Sequence, residues 1–451
     1  RGFSFRGEAG RPCWPRTHAG GLCQLTGPIK RAVDPSFCKG PPLFMAFHQY
    51  IAAVARLISG QDGPKLRDIM ALDNSSAMQA VFEAQQRNSR WDPTNTCQEK
   101  LVEPWDEVMA AHCLCLGCLL KGNRAEAYSY LEARVTAFLK AFREDKDAWL
   151  IEPMLAAVHD LRTLATAADD ELRKAGKKPI KREDAGQLLQ KCFSSARQGH
   201  GNKLKRVASL EIVNTLFKVY FSLNTLRLCK TLINSMDQQF PTLDSFPLSQ
   251  RVTYRFYVGR LAVFDENFER ARDELSFAFA NCDPAMPKNR ALILKYLIPV
   301  QMVLGVLPKP ALLEQYGMQI FSDIAEAMKT GSIQLFNECM AKNQETFIQQ
   351  GTFLLLEKLK LAIYRMLFRR VAAIHKETEP AKASQIPLGL FQAALAWQNA
   401  DMDLDEVECI LANLIYRKYV KGYISHQHRV IVVSKADPFP PLTKIIFVDI
   451  N

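Results

Sequence analysis

Two stretches of this chain concentrate cations without carboxylates. Lys358 to Lys376 (KLKLAIYRMLFRRVAAIHK) holds Lys358, Lys360, Arg365, Arg369, Arg370 and Lys376 and no acidic residue. At about 100° per residue, Lys358, Arg365, Arg369 and Lys376 fall within roughly 20° of one line along a helix. Such a stripe repels itself and is relieved when a polyanion neutralises it; the alternative is a merely solvated face. Arg417, Lys418, Lys421, Arg429 and Lys435 form a second acid-free cluster. His426 and His428 beside them could hydrogen-bond phosphate while uncharged at pH 7. Neither group offers a base-reading pattern, so the predicted contacts are phosphate-dominated and independent of sequence. For the second cluster, packing against a protein partner stands open beside nucleic acid.

Three other constellations resemble enzyme chemistry and fail on spacing. His112, Cys113, Cys115 and Cys118 could suggest a metal cluster, but no second ligand pair follows at zinc-site spacing. They fall in an apolar helical run, where core thiols are the expectation. His426-x-His428 with Asp437 resembles an isopeptidase metal site, yet the serine and aspartate of that signature would fall at Ala436 and Phe439. No phosphate-binding glycine loop and no nucleophile elbow occurs. The chain is therefore read as non-catalytic, with no cofactor and no metal.

The elements that would position the second cluster are legible in the residues around it. Val407, Ile410, Leu411, Leu414 and Ile415 repeat at the spacing of an amphipathic helix. Asp403 with Glu406 makes a capping-box-like start. Arg417, Lys418 and Lys421 sit where the helix dipole favours cations, and Gly422 is a candidate left-handed cap. The period then falls to two: Gly422 to Ser425 and Val430 to Ser434 predict two strands joined by the turn 426–429. Upstream, Pro387 to Gln398 predicts a helix with Pro387 as its first residue and Leu388, Phe391 and Leu395 on one face. Two helices and a two-stranded wing make a winged-helix module.

At 451 residues the chain exceeds one core's usual size. Its apolar content of 48% and charged content of 23% are ordinary for a globular protein. No run of eighteen apolar residues exists to span a bilayer. Twelve cysteines without regular spacing predict reduced thiols and a cytosolic or nuclear setting. The net charge is +11, of which residues 1–44 supply +5 from seven Lys/Arg against Glu8 and Asp34. That segment is rich in Gly, Pro, Arg and Cys and has no period. It is expected to be a disordered leader outside the native product, with Met45 as a natural start.

From Met45 the period is helical almost everywhere, over segments near 46–59, 97–119, 124–143, 148–172, 185–197 and 206–221. In Val258 to Cys282, Gly259, Phe268, Ala271, Leu275 and Ala278 fall near the small and large positions of a tetratricopeptide-type helix pair. Gly117, Gly122, Ala127 and Tyr130 echo it weakly. Phe217, Tyr220, Phe221, Tyr254, Tyr257, Phe277 and Phe279 recur at helical spacing and are read as solenoid core rather than base-stacking platforms. Arg173 to Arg182 (RKAGKKPIKR) is predicted to be an exposed loop, either a solvated linker or a nuclear-import signal. Asp237 to Pro247 is predicted to be a second loop. No alternation of strands and helices appears, which argues against an α/β enzyme.

A helical stack ending in a winged helix resembles the PCI domain of the proteasome lid, the COP9 signalosome and a translation initiation factor. Residues 250–282, 293–309 and 405–442 are similar to the PCI domain-containing protein 2 family, a branch that is also signalosome-subunit-12-like. The likeness runs from about Met45 to Leu442; residues 1–44 and 443–451 depart from it. The resemblance implies an all-α fold, a right-handed TPR-like solenoid closed by a winged helix with a small β-hairpin. The expected map is a leader 1–44, a helical-repeat region 45–236, the helical part of the PCI domain 237–380, the winged helix 381–437 and a tail 438–451. It further implies a non-enzymatic adaptor of the transcription-coupled mRNA export complex, in the nucleus and at the nuclear pore, with some in the cytoplasm. The implied partners are a large scaffold protein, a small acidic protein shared with the proteasome lid, and single- or double-stranded nucleic acid, with no membrane insertion. The alternative is a scaffold subunit of a signalosome- or lid-like complex that binds no nucleic acid.

Overall fold

The computed structural model describes residues 46–444 apart from 89, 199–202 and 241. The expected leader 1–44 and the last residues of the tail lie outside the described residues. Helices fill most of the rest and stack in two layers. Ile151–Lys174, Lys203–Ser222, Leu248–Phe264 and Pro287–Val303 follow one another in one layer; Arg124–Glu144, Lys181–Arg197 and Phe268–Asn281 lie in the other. Asn123 and Asn267 start two of these helices by accepting from Glu126 N and Arg270 N, which satisfies first-turn donors. Within the pair 248–264/268–281, Phe268, Ala271, Leu275 and Ala278 are buried as their spacing predicts. A Cβ on Gly259 would lie 2.7 Å from Leu275 Cγ, so only glycine permits that approach. Gly117 serves a different contact: its missing Cβ makes room for Gln85.

Two predicted boundaries shift for local reasons. The segment 97–119 divides into Thr94–Lys100 and Trp105–Leu120, because Pro104 cannot continue a helix from the residues before it. The basic stretch 173–182 is a loop at its centre, shorter at both ends than predicted. Helices run to Lys174 and restart at Lys181, leaving residues 175–180 between them. The buried Asp169 carboxylate accepts from Lys181 N at 2.8 Å and from Arg182 Nε at 2.8 Å, which fixes the second helix start.

The C-terminal module is built on a long spine helix, Leu359–Thr378, followed by β1 (Gln385–Pro387), a short helix Leu388–Ala396 and the wing helix Leu404–Tyr416. Strands β2 (Gly422–Ser425) and β3 (Val430–Val433) complete it. The sheet has three antiparallel strands in the order β1-β3-β2, not the two predicted. β1 escaped notice because three residues ending in proline show no alternation, and its pairing with β3 spans more than forty residues of sequence. Pro387 accordingly ends β1 and caps the short helix rather than opening it. Ile386, Ile431 and Val433 face inward with Leu388, Leu395, Val407, Leu411 and Leu414. Asp403 and Glu406 form the capping box read from sequence, at 2.7 and 2.9 Å.

Three contacts hold the module together and fasten it to the solenoid. Phe368 of the spine helix meets Phe391 of the short helix, ring centroids 4.7 Å apart. Buried Gln398 accepts from Ile333 N at 2.6 Å and donates to Gly331 O at 3.3 Å. The segment after β3 returns as a strap: Lys421 N donates to Pro438 O at 2.8 Å, and Leu442 packs on Gly305.

Candidate nucleic-acid interface

The structure divides the predicted cationic residues into separate neighbourhoods. Lys421 O accepts from Ser434 N at 2.8 Å, so Lys421 and Lys435 lie together at the open end of the hairpin. Arg417 and Lys418 end the wing helix four and three residues before Lys421, at that same end. All four are exposed, and Lys418 adopts a left-handed φ of 62° that turns the chain toward β2. The only acidic side chain paired there among the described residues is Asp437, 4.0 Å from Lys421. Arg417 Nε donates to Asn413 at 2.9 Å, which leaves its charge uncompensated. The spine helix adds exposed Arg369, whose charge acts on Arg365 beneath the strap.

The turn at the other end of the hairpin is not acid-free, contrary to the sequence pattern. Arg429 Nη1 donates to Asp405 at 2.5 Å and to Glu408 at 3.1 Å, and His426 Nδ1 lies 2.9 Å from Glu408. The Arg429 guanidinium holds the Asp405 carboxyl below its usual range. These carboxylates belong to the wing helix, 18 to 24 positions away, so a window on the turn alone cannot reveal them. His428 is exposed beside them. The tip therefore carries little free positive charge.

The predicted helical stripe also breaks up. Arg365 is 2% exposed and its Nη2 donates to Phe439 O at 2.9 Å and Pro440 O at 2.5 Å. Burial, and then the charge of Arg369, lowers its pKa from the ordinary value. It anchors the strap and cannot reach a phosphate. Lys358 pairs with Glu266 of the solenoid at 2.6 Å. Lys376 is exposed near the far end of the helix, about 10 Å beyond Arg369 along the axis. What survives is one patch of Arg369, Arg417, Lys418, Lys421 and Lys435.

Composition of the patch surroundings adds two residues that sequence reasoning passed over. Tyr416 is 68% and Tyr423 63% exposed. Tyr423 stands opposite Val432 on the outer face of the sheet, on the unpaired edge strand. The aromatics that were singled out behave as core: Phe217, Tyr220, Tyr254 and Tyr257 are buried, with Phe221, Phe277 and Phe279 packed beside them at the rim. Cys113, Cys115 and Cys118 are buried in one helix; burial pushes the Cys115 thiol up to about 12, and His112 Nδ1 sits 3.0 Å from Arg134. Among the described residues no helix is long and apolar enough to cross a membrane.

Comparison with known proteins agrees with this architecture. The PCI domain family matches residues 340–435, the end of the solenoid and the winged helix. PCI domain-containing protein 2 of Danio rerio is 39% identical over 409 residues, covering 89% of this chain and 99% of that protein. Enhanced ethylene response protein 5 of Arabidopsis thaliana is 36% identical over 397 residues, covering 87% and 95%. Protein CSN12 homolog of Mycosarcoma maydis is 26% identical over 441 residues, covering 87% and 97%. PCI domains build protein–protein complexes and are generally non-catalytic scaffolds. With a helical solenoid, a three-stranded winged helix and relatives that match it almost end to end, the chain belongs to the PCI domain-containing protein 2 family.

Proposed function

We propose that the protein is a non-enzymatic adaptor of transcription-coupled mRNA export, resident in the nucleus and at its pores with a cytoplasmic fraction. In this role it pairs with a large PCI-like scaffold, takes a small acidic protein, and holds nucleic acid on the winged helix. The observation that carries the nucleic-acid part is the open-end patch. Arg369, Arg417, Lys418, Lys421 and Lys435 are exposed around one hairpin end with Asp437 as the paired carboxylate. Five cations with so little compensation favour a polyanion, and their lack of a base-reading geometry favours phosphate contacts. The scaffold bound alongside would extend this surface.

Binding of a fluorescent single strand and a duplex across a salt series tests the idea, with the protein bound to its scaffold fragment. Changing Arg417, Lys418, Lys421 and Lys435 together to Ala should flatten the slope of log K against log salt by roughly 0.7 per lost contact for single strands. An unchanged slope, with scaffold assembly lost in the variant, would make the patch a protein-docking surface. One observation favours that second role, a scaffold subunit without nucleic acid. The tip cations are already neutralised by Asp405 and Glu408, and the β2 edge carries an exposed tyrosine.

A further inference from the structure

A second group of cations lies on the solenoid, away from the winged helix. Three helices that pack in succession each contribute one: Arg162 from Ile151–Lys174, Lys218 from Lys203–Ser222 and Arg260 from Leu248–Phe264. All three are half-buried. The Arg260 guanidinium sits between two rings, 4.5 Å from the Phe221 centroid and 4.6 Å from that of Tyr296. Its Nε is buried without a partner. Lys218 lies one turn before Phe221 on the same helix, so it emerges on the same side. The Tyr257 ring is 5.1 Å from Phe221, and Arg162 acts electrostatically on both Tyr257 and Lys218. The three cations thus share one surface.

Nearby cations of the same solenoid are neutralised, and these are not. Arg134 pairs with Asp160 at 3.6 Å and Arg255 with Glu274 at 3.1 Å. Among the described residues, Arg162, Lys218 and Arg260 enter no salt bridge. The carboxylate whose charge reaches Lys218 is Glu211, two turns away on its own helix. Burial, and then the charge of Arg162, lowers the Lys218 pKa; burial alone lowers that of Arg162. Half-burying like charges without a counterion is unfavourable, and an anionic ligand is the direct remedy.

We propose that Arg162, Lys218 and Arg260 form a binding site for a phosphomonoester. Three cations against Glu211 leave a charge of +2, which a phosphomonoester of about −1.5 to −2 at pH 7 neutralises. A single carboxylate or one phosphodiester carries half of that and leaves the site partly charged. The Arg162 fork suits planar recognition of phosphate oxygens, and Lys218 supplies a point charge. His159, exposed one turn before Arg162, can donate one ring N–H to the same ligand. Exposed Phe264 and half-buried Phe221, centroids 6.4 Å apart, give an apolar rim for the group that carries the phosphate.

The same chemistry could come from a phosphorylated side chain on a partner or from a small soluble phosphomonoester. Full-length protein is titrated by calorimetry with inorganic phosphate, a neutral phosphoserine peptide, and that peptide with Glu in place of phosphoserine. Saturable binding of phosphate that weakens at least tenfold in R162Q/K218Q supports the site. Lys218→Met alone is the fallback if the double variant does not fold, with the same direction expected. Tighter binding of the phosphopeptide than of phosphate assigns the source to a partner; equal binding assigns it to a small molecule. The proposal is overturned by no saturable binding, by unchanged affinity in the variants, or by the Glu peptide binding as well as the phosphopeptide. It is also overturned if only a single-stranded oligonucleotide binds, displaced by neither probe.

Discussion

Arg365 gives the sharpest test of how the winged helix is held, because sequence pattern and structure assign it opposite roles. Its guanidinium is buried and donates to two strap carbonyls, Phe439 O and Pro440 O. Arg365→Met keeps the stem and removes the fork. Two buried carbonyls then lose charge-assisted bonds of about 1.5–3 kcal/mol each, partly offset by no longer burying a charge that itself has an orphan Nε. The net expectation is about 2–4 kcal/mol of lost local stability, felt where the strap lies. Hydrogen exchange reads this directly: amides of β3 and of the strap should exchange roughly 30- to 900-fold faster, at about 1.4 kcal/mol per decade. Truncating the chain after Asp437 should produce a similar loosening, and the two changes together should cost less than their sum. Meanwhile the salt slope of nucleic-acid binding should be unaltered by R365M and reduced by R369Q. Exchange rates within threefold of wild type, or a slope that falls in R365M, would refute the anchoring role.

Other consequences follow from the same geometry. Arg429→Ala should change the salt slope by less than half the effect of Lys421→Ala, because Asp405 and Glu408 already neutralise Arg429; fluorescence anisotropy at several salt concentrations decides it. The Asp160 carboxyl, buried beside Arg134, is pushed up to about 6 from its ordinary value of 3.8. The folded chain therefore binds more protons than the unfolded chain between those values. This group's contribution to stability falls as pH rises through about 4 to 6 and is flat above. The difference in urea midpoint between wild type and D160N should show that slope. Gly259→Ala should destabilise by about 1–3 kcal/mol, since its Cβ would meet Leu275 Cγ at 2.7 Å, and thermal unfolding measures the loss.

The amino-acid sequence by itself determined whatever depends on near neighbours along the chain. The helical period, the capping box at Asp403 and Glu406 and the hairpin turn at 426–429 all rest on residues within a few positions of each other. Resemblance of residues 250–442 to known relatives then placed these pieces in one architecture. Tertiary structure decided what depends on distant partners. β1 exists because Val430 to Val432 offers it a ladder, not because of its own three residues. Arg365 points inward because the strap brings carbonyls from 74 and 75 positions away. Arg429 is neutralised, and His426 is engaged by Glu408, because the wing folds back on the helix that precedes it. Arg162, Lys218 and Arg260 become one site only when three helices stack. A charge pattern along the chain counts cations, but a side chain's free charge depends on which carboxylates and carbonyls packing brings near it, and that information is nonlocal.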